Sequence, residues 1–146
     1  MEGEFNIVSL SKIRVRYEET DQMGYVYYGN YFTWLEVGRT GLFRDIGMPY
    51  TMLEKRGLRL PVTDAQCRYR SSARYDDIIT VRTVIVKLTP ARIQFNYQLE
   101  SEAGNVMAYG STTHAFVDRT GKPMNMSKKD PDLWNLMLDR LKEKGV

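Results

Sequence analysis

A single run of helical periodicity flanked by runs of strand periodicity constrains this chain more than any other feature. Tyr31, Leu35, Gly38, Leu42 and Ile46 recur at i, i+4, i+7, i+11 and i+15, the spacing that sets side chains on one face of a long helix. Phe32, Trp34, Val37 and Phe43 spread the apolar surface past that face, so the helix is expected to be largely enclosed. Gly38 and Gly41 each cost about 1 kcal/mol relative to Ala in a helix interior, which is tolerable where a neighbouring backbone comes close. Gly29-Asn30 offers an N-cap, and Gly47-Met48-Pro49 a stop.

Ahead of the helix, Ile13, Val15 and Tyr17 share one face and Arg14, Arg16 and Glu18 the other, which predicts a half-buried strand over residues 7–19 ending close to Asp21. Gly24, just beyond, permits backbone angles closed to other residues. Behind the helix, past Arg56-Gly57, four strand-like runs cover residues 60–70, 78–88, 91–101 and 106–117. Their separators, Arg74-Tyr75-Asp76-Asp77, Thr89-Pro90 and Ala103-Gly104-Asn105, are turn chemistry, and such short connections imply mostly antiparallel neighbours. A turn at residues 118–123 leads into a tail strand or coil. Asp130-Pro131 then opens a terminal helix carrying Trp134, Met137, Leu138 and Leu141 on its apolar face. The expected class is α+β: an antiparallel sheet wrapped on one helix, as one domain over residues 1–146.

Several function classes drop out on composition. The chain is 42% hydrophobic and 27% charged with a net charge of +3, and its basic residues are interrupted by acids. Lys128-Lys129 and Lys142-Glu143-Lys144 are the densest spots and read as solvated faces, so no nucleic-acid partner is expected. The lone Cys67 rules out an internal disulfide and favours a reducing compartment. The opening Met1-Glu2-Gly3-Glu4-Phe5 is acidic and lacks an apolar run, so neither a signal peptide nor a membrane span is expected and the reading is cytoplasmic. One histidine and one cysteine cannot supply a structural zinc site, and no acids show calcium-loop spacing, so no metal is expected. His114, on a strand face with Thr112 and Phe116, reads as a structural histidine, and Cys67 reads as core. No glycine-rich phosphate loop follows a strand.

What remains is an acidic strand end, Glu18, Glu19 and Asp21, ahead of a helix start at residues 28–30. Free N–H groups at a helix N-terminus suit a carbonyl oxygen that is becoming an oxyanion. A carboxylate delivered by a turn can activate water or attack an acyl carbon itself. The same Asp can equally be a cap or a turn residue.

Arg16-Tyr17-Glu18-Glu19-Thr20-Asp21-Gln22-Met23-Gly24-Tyr25-Val26-Tyr27-Tyr28-Gly29-Asn30-Tyr31, continued by Trp34-Leu35-Glu36 and Arg39, resembles the signature of the 4-hydroxybenzoyl-CoA thioesterase-like family of acyl-CoA thioesterases. Ala73-Arg74-Tyr75-Asp76-Asp77 before a β-branched strand resembles the family's second landmark, and the resemblance covers residues 12–118. It implies the hotdog fold, a curved antiparallel sheet around a long central helix, and hydrolysis of an acyl-CoA to a carboxylic acid and free CoA without a metal or redox cofactor. By position it implies Asp21 as the catalytic aspartate and Tyr28 as the residue whose backbone N–H contacts the thioester carbonyl. Glu36 matches a second acid on the helix. Another branch of hotdog thioesterases uses a helix glutamate, which makes Glu36 a candidate secondary acid; Asp21 fits the motif better, and a structural or pocket-polarity role is expected for Glu36. Lys87 and Arg92, bracketing Thr89-Pro90, match the basic residues that hold the CoA nucleotide, with Arg70 and Arg74 as further candidates. Met23 and Tyr25 depart from the small or aliphatic residues common beside the glycine, which leaves the acyl group open. The family's habit implies a homodimer or a dimer of dimers, with acyl-CoA or an acyl-carrier protein as partner. A hotdog dehydratase and a non-catalytic acyl-CoA binding module are the alternatives.

Overall fold

The computed structural model describes residue 5 and residues 7–142. Its strands are β1 (Val8–Arg14), β2 (Val62–Tyr69), β3 (Ile78–Leu88), β4 (Arg92–Glu100) and β5 (Val106–Ala115), and its helices are α1 (Asn30–Asp45), α2 (Tyr50–Lys55), α3 (Met126–Lys129) and α4 (Pro131–Lys142). The strands form one antiparallel sheet in the order β1-β3-β4-β5-β2. β3, β4 and β5 are joined as hairpins. β2 and β3 are consecutive in the chain but separated in space by β4 and β5, and residues 70–77 cross between them along one end of the sheet.

Period two sorts the sheet into faces. Ile79, Val81, Thr83 and Ile85 of β3 and Ile93, Phe95, Tyr97 and Leu99 of β4 are buried, and the residues between them point the other way. α1 lies on the buried face, chiefly against β1 and β3. Trp34, Leu35, Leu42 and Phe43 fill the space beneath it, and α4 adds Leu133, Met137 and Leu141 to the same core. A Cβ at Gly38 would collide with Thr83 and Val81, and one at Gly41 with Ser11. The close approach predicted at these glycines is therefore made by sheet side chains rather than by backbone.

Several expectations are corrected. The first strand stops at Arg14 instead of running to residue 19. Val15 N–H donates to Asp77 O at 2.9 Å, and Tyr17–Glu19 form a 3-10 turn because the Glu19 carboxylate accepts from Arg16 N–H at 2.8 Å. Tyr17 is consequently exposed. α1 is enclosed only on its sheet side, since it leans toward β1 and β3 and leaves Phe32 and Val37 exposed. Asn30 is the first helical residue and does not cap; its Nδ2 donates to Glu19 O at 2.8 Å. The short helices α2 and α3 were not anticipated, although Pro49 and Asn125 stand at their starts. The tail forms a bridge between Val117 and Pro123. Asp130 opens α4 as expected, accepting from Leu133 N–H at 3.2 Å. Residues 1–4 and 143–146, including the acidic opening and Glu143-Lys144, lie outside the described residues.

Candidate active site

The chain leaving β1 is folded into a small antiparallel hairpin, with Thr20 bridged to Val26. Asp21 N–H donates to Tyr25 O at 2.7 Å and Gly24 N–H to Asp21 O at 3.1 Å. Gly24 sits at φ +83°, where a Cβ costs about 1–2 kcal/mol. The Asp21 side chain closes the same turn, its Oδ1 accepting from Met23 N–H at 2.8 Å and Tyr25 N–H at 3.2 Å. The residue is exposed, and its Oδ2 accepts no hydrogen bond among the described residues.

The hairpin returns the chain to the start of α1. Asn30 N–H donates to Tyr27 O, Tyr31 N–H to Tyr28 O and Phe32 N–H to Gly29 O. The N–H groups of Tyr28 and Gly29 have no acceptor among the described residues, and they stand at the positive end of a 16-residue helix. Tyr69 at the end of β2 fixes this corner: its hydroxyl donates to Tyr28 O at 3.0 Å, and its ring meets Tyr28 and Tyr31 edge-on. Partial burial and then the neighbouring Cys67 thiol push the Tyr69 phenol up to about 12, and burial raises Tyr31 as well. Both phenols stay protonated at neutral pH and act here as hydrogen-bonding groups.

The two stretches that carried the resemblance meet in space. Val26 N–H donates to Ala73 O at 2.9 Å, Tyr25 bridges Arg74, and Ala73 N–H donates to the Tyr31 hydroxyl at 3.0 Å. The Arg74 guanidinium lies 4.7 Å from the centroid of the Tyr25 ring and donates to its hydroxyl at 3.0 Å. The departure at Tyr25 thus has a structural partner. Met23 is exposed.

The remaining predicted residues are dispersed. Arg70 borders a shallow cavity of roughly 630 Å³ on the sheet face turned away from α1, together with Arg68, Arg82, Gln98 and Tyr109. Lys87 and Arg92 stand at the opposite end of β3 and β4, roughly 30 Å along the strand from Ile78 at ~3.3 Å per residue. Glu36 is exposed and pairs with the buried Arg39. His114 is fully enclosed: its Nδ1 donates to Leu60 O at 3.0 Å, and its Nε2 lies 2.8 Å from Thr112 Oγ1. Burial, and next the Arg39 charge, lowers it to about 4. Burial pushes the Cys67 thiol up, as suits an unreactive cysteine packed against the core. Among the described residues no three His, Cys, Asp or Glu side chains converge to hold a metal.

Sequence reasoning grouped Glu18, Glu19 and Asp21 as one acidic cluster, and the structure divides them. Glu18 is exposed and pairs with Arg16 at 3.0 Å. Glu19 is buried, accepting from Trp34 Nε1 at 2.9 Å. A buried Trp N–H needs an acceptor, and that requirement was the available signal for Glu19.

The thioesterase-like superfamily model matches residues 15–138. "Putative acyl-CoA thioesterase YneP" of Bacillus subtilis (strain 168) is 36% identical over 137 residues, covering 93% of this chain and 99% of the relative. The 4-hydroxybenzoyl-CoA thioesterase of Pseudomonas sp. (strain CBS-3) is 28% identical over 75 residues, 49% of this chain and 53% of the relative. Among solved structures, the DHNA-CoA thioesterase from Staphylococcus aureus superposes with a TM-score of 0.85 at 34% identity, covering 90% of this chain and 89% of that one. The five-stranded antiparallel sheet carrying α1 is the hotdog fold, and the chain belongs to the thioesterase-like superfamily.

Proposed function

We propose that this thioesterase hydrolyses an acyl-CoA to a carboxylic acid and free CoA, with Asp21 acting at the acyl carbon and the Tyr28 N–H polarising the thioester carbonyl. One observation carries this reading: among the described residues, an exposed carboxylate with an unpartnered oxygen shares one end of the sheet with two amides that lack acceptors at the start of α1. A carbonyl oxygen held by those amides gains charge as the tetrahedral intermediate forms, and the helix dipole stabilises that charge. As general base, Asp21 takes a proton from the water whose oxygen bonds to the acyl carbon; the C–S bond then breaks, and CoA leaves as a thiolate that picks up a proton. As nucleophile, Asp21 Oδ2 bonds to the acyl carbon, CoA leaves from the resulting adduct, and water cleaves the mixed anhydride to restore the carboxylate. Rapid-quench mass spectrometry separates the routes, because only the second places an acyl group on Asp21.

The unit of function in this reading is a homodimer. Among the described residues β2 is a sheet edge with no strand on its outer side, and seven of its eight residues are exposed, including Val62 and Tyr69. An open edge of this length invites another strand. Two β2 edges related by a two-fold axis run antiparallel, which puts the Tyr69 end of one copy beside the Val62 end of the other. Val62 pairs with His114, and His114 with Ile93, next to Arg92. Arg92 and Lys87 of the second copy then approach the Asp21 end of the first, where Arg70 and Arg74 already stand, to bind the CoA phosphates. A dimer of dimers follows if such pairs associate further.

We place the protein in the cytoplasm, in keeping with its single cysteine; no helix among the described residues is long and apolar enough to cross a membrane. The enclosed His114, already satisfied by Leu60 and Thr112, supports hydrolysis over a histidine-dependent dehydratase. Thiol release from short, long and aromatic acyl-CoAs, with an acyl-carrier protein thioester alongside, tests the proposal. Free CoA from at least one acyl-CoA is expected. Binding without thiol release from any of them would make the protein a binding module.

A further inference from the structure

We propose that Glu19 is a positioning residue that holds Asp21 and the Tyr28 amide in one frame, an inference resting on the catalytic reading above. Glu19 is 6% exposed, yet it carries a carboxylate two residues from an exposed one. Its side chain spans two elements: Oε1 accepts from Arg16 N–H at 2.8 Å, and Oε2 accepts from Trp34 Nε1 at 2.9 Å, one turn inside α1. Its backbone carbonyl spans two more positions, accepting from Tyr27 N–H at 2.9 Å and from Asn30 Nδ2 at 2.8 Å. Asp21 follows Glu19 by two residues, and Tyr28 lies between Tyr27 and Asn30. The carboxylate and the amide proposed to act on one thioester are therefore both tied to Glu19.

A buried acid with both oxygens engaged fixes a geometry more tightly than any one bond in the exposed hairpin, where solvent competes. Catalysis by a placed carboxylate and a placed amide depends on that geometry, since a shift of about 1 Å can cost 100-fold in rate. Gln at this position keeps the shape but turns an NH₂ group toward one of the two donors and gives up the charge that faces Arg16 Nε at 3.7 Å, so the frame loosens while the acyl-CoA contacts stay in place.

Thiol release by Glu19→Gln, Trp34→Phe and the double variant tests this, with Asp21→Asn as control and thermal melts for folding. Glu19→Gln is expected to lower kcat by about 10-fold or more while KM stays within about twofold of wild type. The double variant is expected to be no slower than Trp34→Phe, because the introduced amide can then turn its NH₂ to the side the Trp34 N–H has vacated and keep its carbonyl oxygen on Arg16 N–H. Wild-type kcat in Glu19→Gln beside an inactive Asp21→Asn, or additive losses in the double variant, would overturn the positioning role. A fully active Asp21→Asn would instead sink the catalytic reading on which it rests. Should Glu19→Gln fail to fold, Trp34→Phe carries the same readout: reduced kcat at unchanged KM supports the role, and wild-type kcat refutes it.

Discussion

At the scale of the residue, the turn around Asp21 engages one carboxylate oxygen with Met23 and Tyr25 and leaves the other without a donor among the described residues, as the proposed role requires. Gly24 makes that turn possible, since its φ of +83° is strained for any side chain even though the space around it is open. Gly24→Ala is expected to cost about 1 kcal/mol of stability, read as a lower urea midpoint, and to lower kcat more than it raises KM. A second residue-scale effect belongs to His114. In the folded protein burial and Arg39 hold it at about 4, against roughly 6.5 when unfolded, so the unfolded chain binds more protons between those values. Its contribution to stability is complete above about pH 6.5 and is lost as the pH falls toward 4. Urea midpoints at pH 7, 5 and 4 should fall more steeply in wild type than in His114→Gln; parallel curves would mean another group governs the acid limb.

At the scale of the element, α1 was legible from its apolar spacing because burial and period coincide on its sheet side. Gly38 was legible for the same reason, although the neighbour that forbids a Cβ there is Thr83 and Val81 on β3 rather than a backbone. Gly38→Val should destabilise the protein by about 2–3 kcal/mol, measured by denaturant unfolding, because neither the helix nor the centre of the sheet can retreat. The end of the first strand was not legible. Alternation continues through Tyr17 in the sequence, but a hydrogen bond from Arg16 to a side chain three residues on overrides it, and that side chain is itself held by Trp34, fifteen residues further along. Local pattern carries no trace of such a tertiary partner. Asp21 illustrates the same limit: its residue type and place before a helix fit a turn as well as a base, its side chain does close a turn, and the proposal that it is also a base rests on the ordered motif around it.

At the scale of the whole molecule, the sheet has two unlike ends. The turn after β1, the start of α1 and the crossover at residues 70–77 gather at one end, whereas Lys87 and Arg92 stand at the other. The resemblance assigned Asp21 to the acyl group and Lys87 and Arg92 to the CoA nucleotide of the same ligand, and a single copy of the chain keeps them apart, so assembly through β2 decides whether they meet. Wild type is expected to elute as a dimer or tetramer by light scattering. Ala65→Arg, which puts a charge on the exposed edge strand, should shift it toward monomer and lower thiol release. An active wild-type monomer would remove the second copy from the site. The carboxylate itself is tested most directly by the kcat of purified Asp21→Asn for thiol release from the acyl-CoA that wild type cleaves best. A fall of about 100-fold or more with the melting temperature unchanged is the predicted result, and wild-type turnover by Asp21→Asn would contradict the account.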